Sequence, residues 1–443
     1  MTIDFSSSLI PISVVSLLTL LLMLLTLTLT LSPILVDTIE LNYKLFLISS
    51  AGLIYLDPQW SSILENMTSD PILIKLHRKL LNKNRHNGII RINIGFTPHH
   101  YVLDPNLAKQ VLLCSPKFFS AGKAKHDLFI KIMPNNVGIS TGEEWCRRRE
   151  FNECVLGARS INSGGPLSAK SDRLLTAFRV IDKRRPPLNI DDFRSLSFDI
   201  AEKMIFGEKN GYTREFISMA VNDIPMFGSP FFKQYTDYLV TGLNRQLDLE
   251  CKHDLEENVV SDQVPHWFSP FIFISTFLIP NFLCVILSFP EVHQKVLECI
   301  NSEDFDIYSK RNYLHYCTIE HIRLFNTINI NIQRTANQDL KLGSTEIKRG
   351  DQLFILFSSI LRDESQFVEP DQFIPTRWIE RSLSDQDIVF GVGPQQCPSR
   401  QITPVFYKLF ISTLLRIHNY GLVYPQIKDR NLYFINPFTI KFR

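Results

Sequence analysis

"FGVGPQQCPSR", residues 390–400, sets two glycines and two prolines around a single thiol, Cys397. Glycine admits backbone conformations closed to other residues, and proline fixes the chain on either side, so the stretch reads as a rigid, tightly turned loop. A free cysteine in such a loop has two readings. It is either a small buried hydrophobe or a thiolate aimed at a metal centre. Gly391 and Gly393 would bring backbone N–H groups near the sulfur. A helix beginning just after Cys397 would place its positive end there.

Composition narrows the choice. The chain has 443 residues, 45% hydrophobic and 21% charged, with a net charge of +2, which describes a folded protein and excludes a polyanion-binding surface as its main function. No nucleic-acid partner is expected. Eight cysteines are scattered without a C-x-x-C pair, so neither a zinc site nor a disulfide framework is legible, and reduced thiols are expected.

Four upstream signals bear on the loop. Glu320 and Arg323 lie three residues apart on one helical face, and "FIPTRW" (373–378) offers Arg377 as a second guanidinium for the same carboxylate. "GEEWCRRRE" (142–150) supplies Trp145 and Arg149, one helical turn apart, able to direct an N–H and a cation at one anion. "FPEVHQKVLECI" (289–300) marks a helix boundary and restart.

The N-terminus makes a separate statement. Phe5–Val36 contains no charge and is long enough to span a bilayer, with Lys75, Arg78, Lys79, Lys83, Arg85 and Arg91 following it. This predicts a retained anchor over residues 1–36, a connector over 37–75 with a second apolar patch at 45–56, and a body over 76–443 facing the cytosol. Along the body, "GIIRINIGFTPHHYVLDPNLAKQVLL" (88–113) predicts a strand pair and then a helix opened by Asp104-Pro105. Gly343-Ser344 predicts a hairpin turn, and the middle of the chain is mainly helical.

In this order and at these separations, the elements resemble the cytochrome P450 family over nearly the whole chain. The resemblance implies a mainly α fold with small β-sheets, preceded here by the transmembrane anchor. It implies Cys397 as the axial thiolate of haem b (iron protoporphyrin IX), with Phe390 beside the sulfur and Gly393 in the loop. Trp145 and Arg149 carry over to a haem propionate, as does Arg334, while Glu320, Arg323 and Arg377 carry over to a structural triad. The implied activity is a monooxygenase of the endoplasmic-reticulum type, inserting one oxygen atom from O2 into an apolar small molecule. Electrons would come from NADPH through a flavoprotein reductase docked near Arg147 and Arg148.

The sequence departs from the family at three places. Gln395 stands where a basic residue usually meets a propionate, and Ser399 where glycine usually follows the cysteine. The central helix, read at "FIFIST" (271–276), offers Ser275 or Thr276 as the oxygen-side alcohol but no acid, since no Asp or Glu lies between Asp262 and Glu291. Three other readings therefore stand beside the monooxygenase. They are a hydroperoxide isomerase or dehydratase, a non-enzymatic relative with weak haem binding, and a multi-pass membrane protein using "WFSPFIFISTFLIPNFLCVILSFP" (267–290) as a second span.

Overall fold

The computed structural model describes residues 88–443 except 95–96, 161, 163, 166, 182–184, 207–253, 264–266, 268–269, 272–273, 327–330, 426 and 428–438. The anchor expected at 1–36 and the connector expected at 37–75 lie outside the described residues. Two strands open the fold, β1 (Ile89–Ile94) and β2 (Thr97–Val102), paired antiparallel from Ile89↔Val102 to Ile94↔Thr97. Pro98 sits inside β2, and this is tolerated because β2 begins its pairing with the next strand only at His99. Helix α1 (Pro105–Leu113) follows, and the Asp104 side chain accepts from Asn106 N and Leu107 N at 2.9 Å each, the cap the Asp-Pro pair predicts.

Strand β3 (Phe119–Ala121) leads into α2 (Lys123–Ile132) and then α3 (Gly142–Leu156). Helix α4 (Ile190–Phe206) precedes the central helical run. That run opens with a π-helical segment, Ile274–Leu278, and continues as α5 (Ile279–Ser288). Pro280 supplies a reason for the widened turn: a proline clashes with the carbonyl four residues back, here Thr276. Phe289-Pro290 then bends the chain by 109° into α6 (Pro290–Asn301). Helix α7 (Tyr313–His321) ends in a second π turn, Ile322–Asn326.

The sheet is completed by β4 (Asn331–Ala336) and β7 (Gln352–Leu356), while the hairpin β5 (Leu340–Leu342) and β6 (Thr345–Ile347) between them forms a separate two-stranded sheet. The larger sheet has the order β1-β2-β7-β4-β3, with only β2 and β7 parallel. Leu342 pairs with Thr345 across the two-residue turn at Gly343-Ser344. The chain closes with α8 (Ile402–Ile417) and the short strands β8 (Leu422–Tyr424) and β9 (Lys441–Phe442).

Two cores hold these layers. The larger joins α3, α4, α5, α6, α7 and α8, and the smaller lies between α1 and the sheet. Ile388, just before the cysteine loop, packs against both. The apolar run that passes for a membrane span in the sequence is interior here: Ile279 and Phe282 through Ile286 are inaccessible to solvent. Among the described residues no single helix is long and apolar enough to cross a membrane, though the bent pair Ile274–Ser288 and Pro290–Asn301 meets that test together. Cys154, on α3, is disulfide-bonded, which departs from the expectation that all thiols stay reduced. Local spacing cannot register a bridge that tertiary folding makes.

Candidate functional site

The geometry around Cys397 begins with Glu320, which is fully buried on the last turn of α7. Arg323 grips its carboxylate through two nearly parallel bonds, Nε to Oε2 at 2.9 Å and Nη2 to Oε1 at 2.8 Å. Arg377 Nε adds a bond to Oε1 at 2.9 Å, and Ile374 N–H another at 3.0 Å. Trp378 Nε1 donates to Oε2 at 2.8 Å. Burial pushes the Glu320 carboxyl up, but the Arg323 charge and hydrogen bonds, then Arg377, hold it below the usual carboxylate range.

The remaining donors of this network bind main chain. Arg323 Nη1 reaches the carbonyls of Leu361 at 2.9 Å and Pro370 at 2.6 Å, and Arg377 Nη1 reaches that of Val368 at 2.6 Å. The whole loop between β7 and Trp378 is thereby fixed to α7. The sequence reading names Glu320, Arg323 and Arg377 but misses Trp378. Its signal is present as the last letter of "FIPTRW", where the 3-10 turn Pro375–Trp378 brings it against α7.

From this base the chain enters the cysteine loop. Phe390 is buried, and its carbonyl accepts from Cys397 N–H at 3.0 Å, closing the loop on itself. Gly391 holds φ +85° and ψ −175°, a region only glycine populates readily. Gly393, at φ +82°, is demanded by contact as well as conformation. A Cβ there would stand 2.5 Å from the Leu112 carbonyl oxygen at the end of α1. Gln396 Nε2 ties back to Gly391 O at 2.9 Å, a brace the sequence reading misses because a glutamine in a loop has no periodic signature.

Cys397 itself is half-buried, in contrast to Cys284 and Cys317. Burial pushes Cys284 up to about 12 and Cys317 well above the usual thiol value, so both remain protonated. The Cys397 sulfur lies 3.2 Å from Ser399 Oγ. The helix expected directly after the cysteine begins only at Ile402, with turns across Pro398–Gln401. Pro404 is the third residue of α8, in the first turn where no intrahelical donor is required.

Three arginines in sequence on α3 point three ways. Arg147 is exposed and pairs with Asp254 at 2.8 Å. Arg148 is buried against Ser140 and Asn135, which corrects the expectation that it belongs to an outer docking face. Arg149 Nη2 donates to the Gln396 carbonyl at 2.6 Å, one residue before Cys397, while its Nε binds Glu153 at 2.8 Å. Trp145, one turn earlier, is half-buried. Gln395 is also half-buried in the loop.

Arg334 lies on β4 directly opposite Ala121 and donates to Ser115 Oγ at 3.2 Å. Burial lowers it to about 10. Lys125, on the first turn of α2, is exposed, with its ammonium 5.1 Å from the centre of the Phe129 ring. Partial desolvation by the surrounding protein, and then repulsion by Arg334, lowers its ammonium pKa. Lys125 is a further residue that the sequence reading misses. On the central helix, Ser275 Oγ donates to Phe271 O at 2.6 Å and Thr276 Oγ1 to Ser197 Oγ on α4 at 3.1 Å, both buried.

This donor set fits haem. Among the described residues no group of three or more His, Cys, Asp or Glu is placed to hold a metal ion. A lone, braced, half-buried thiol therefore suits an iron that brings four ring nitrogens of its own. Lys125 and Arg334, two cations near enough to repel each other, suit the two carboxylates such a ring carries.

Comparisons with known proteins agree. A family profile described as Cytochrome P450 matches residues 286–432, a span that takes in Glu320, Arg323, Arg377 and Cys397. A probable cytochrome P450 516B1 of Dictyostelium discoideum is 19% identical over 386 residues, covering 71% of this chain and 78% of that one. Psoralen synthase of Pastinaca sativa is 30% identical over 118 residues, but that alignment covers only 26% of this chain and 25% of the enzyme. Among solved structures, P450BioI in complex with an acyl carrier protein ligated to hexadec-9Z-enoic acid superposes with a TM-score of 0.63. It has 17% identity, and the match covers 85% of this chain and 100% of that one. The profile over residues 286–432, the relatives and the shared fold all point to the cytochrome P450 family.

Proposed function

We propose that the chain is a haem-thiolate monooxygenase that inserts one atom of dioxygen into an apolar small molecule. The observation that carries this reading is the half-buried Cys397 in a loop braced by Phe390 O, Gln396 and Arg149. Bound haem supplies the iron at which dioxygen is reduced. The chain's own residues do the rest. Cys397 would hold the iron, and the bonds from its own N–H to Phe390 O and from Gln396 to Gly391 O would keep the sulfur in place. Arg334 and Lys125, with Trp145 and Arg149, would hold the propionates, and Lys125 would take over the charge that Gln395 does not provide. Electrons arrive from NADPH through a flavoprotein reductase, and Phe5–Val36 anchors the cytosol-facing body to a membrane.

A second reading keeps haem but not oxygen activation, as a hydroperoxide isomerase or dehydratase. It is favoured by one feature, the central segment Ile274–Leu278, whose sequence ISTFL contains no carboxylate to deliver protons.

The test is the absorption spectrum of the purified chain, reduced under carbon monoxide. The expected result is the strongly red-shifted Soret band of thiolate-ligated haem, lost in Cys397→Ser. A folded wild-type chain without haem, or a Cys397→Ser spectrum identical to wild type, would overturn the assignment. Product formation dependent on NADPH and reductase then separates the first reading from the second.

A further inference from the structure

Ser399 stands where glycine is usual, and its side chain does not turn away from the site. Its hydroxyl oxygen lies 3.2 Å from the Cys397 sulfur and receives a hydrogen bond from Thr403 Oγ1, also at 3.2 Å. Main chain holds this row in place: Thr403 N–H donates to the Ser399 carbonyl at 2.8 Å as the chain winds into α8. Protonation fixes the direction of the row. A sulfur bound to a metal has no proton, so between sulfur and hydroxyl only Ser399 has one to give. Because Thr403 donates to Ser399, the Ser399 proton is left for the sulfur, and accepting one bond strengthens the next.

We infer that Ser399 is a positioning residue that donates a hydrogen bond to the Cys397 thiolate and, backed by Thr403, raises the reduction potential of the iron bound there. The inference rests on the haem-thiolate reading. A proton shared with the sulfur draws charge away from the metal, which stabilises the reduced iron relative to the oxidised iron. Glycine at this position has no hydroxyl to offer. The substitution is thus more than a steric intrusion beside the ring. It weakens electron donation by the sulfur while leaving the ligand in place.

The experiment is a spectroelectrochemical titration of the haem-loaded full chain, paired with the C–O stretch of the carbon monoxide complex, for wild type, Ser399→Ala, Ser399→Thr and Thr403→Val. Ser399→Ala is expected to lower the equilibrium constant for reduction by roughly three- to tenfold, the weight of one hydrogen bond. A tenfold loss corresponds to about 59 mV. The C–O stretch should move to lower frequency as the sulfur donates more charge. Thr403→Val should move both readings the same way by less, and Ser399→Thr should restore both towards wild type. Equal potentials and equal C–O stretches in wild type and Ser399→Ala, with the thiolate band intact in each, would overturn the inference. A wild-type chain that gives no thiolate band would overturn the haem-thiolate reading, and the inference with it.

Discussion

The Glu320 network and the central helix are both sealed from water, and they are built from opposite materials. Glu320 accepts five hydrogen bonds, from Arg323 (two), Arg377, Trp378 and the Ile374 main chain. Such a carboxylate is tolerable in the interior only because every lone pair is met by a donor and two cations neutralise it. In Ile274–Leu278 there is no charge to neutralise, and the hydroxyls of Ser275 and Thr276 are bonded to a carbonyl and to Ser197. Charge is concentrated where a loop must be held against a helix. It is absent from the segment where the family resemblance puts proton delivery. The contrast separates holding a cofactor from using it, and the two halves of the machinery can be tested apart.

The largest expected effect is on the holding side. Glu320→Ala leaves the Arg323 guanidinium buried without its partner, which typically costs about 3–5 kcal/mol. Against a usual total of about 5–15 kcal/mol, that is a large share of the fold's stability. Urea unfolding of the variant should show a much lower midpoint, and the thiolate-type carbon monoxide band should fall with it, because the loop from β7 to Trp378 is tied to α7 through this network. Glu320→Gln, which keeps a hydrogen-bonding side chain, should lie between. A Glu320→Ala midpoint equal to wild type would mean that the network is not what holds this side together.

Next in size is the acid response of the helix pair where the two regions meet. His321 is buried beside Glu320, bonds Asn281 on α5 at 2.9 Å, and stacks on Phe325. His315, also buried, bonds Gln386 at 3.0 Å. Burial holds His321 well below the usual imidazole value and, with nearby Lys408, lowers His315 to about 3. Both folded values lie below the unfolded one of about 6.5, so in that interval the unfolded chain binds more protons. Stability is therefore full above about 6.5 and declines as pH falls towards the folded values, by roughly 1.4 kcal/mol per pH unit for each group. Glu320, whose folded value is depressed, adds its own loss only below the ordinary carboxylate range. Chemical unfolding between neutral pH and pH 5 should show this slope, reduced by about one proton in His321→Gln. An unchanged slope in that variant would remove His321 as the acid-sensitive link between the two regions.

The parts of the site legible in the sequence are those with a period or a local rule behind them. Glu320 and Arg323 announce themselves by spacing, Asp104-Pro105 by cap chemistry, and Gly343-Ser344 by turn type. The arginine run 147–149 shows where such reading stops. A helix turns about 100° per residue, so three adjacent arginines cannot share one face. Arg147 goes out to Asp254, Arg148 inward to Ser140, and Arg149 across to Gln396 O. Composition reads that run as one solvated surface, whereas phase and tertiary contact divide it. Trp378, Gln396 and Lys125 are missed for a related reason. Trp378 and Lys125 act on Glu320 and Arg334, far away in sequence, and Gln396 braces a loop that has no period to read. Ser399 was visible as a departure from the family, but only the structure reveals that its hydroxyl faces the sulfur.

The smallest expected effect lies on the central helix. Thr276→Val removes a hydroxyl that donates to Ser197 Oγ, while Ser197 keeps its own bond to the Phe193 carbonyl. One neutral hydrogen bond is lost and no charge is stranded, so the cost to stability should be about 0.5–1.5 kcal/mol. The functional consequence shows whether Thr276 serves the oxygen side. If Thr276 only ties the π segment to α4, the fraction of NADPH consumption diverted to hydrogen peroxide should change by less than about twofold, because the variant touches packing and not proton delivery. A sharp rise in peroxide, with the thiolate band intact, would show that Thr276 does serve the oxygen side. The central helix would then be a working counterpart of the Glu320 network after all, using a hydroxyl and water where a carboxylate is usual.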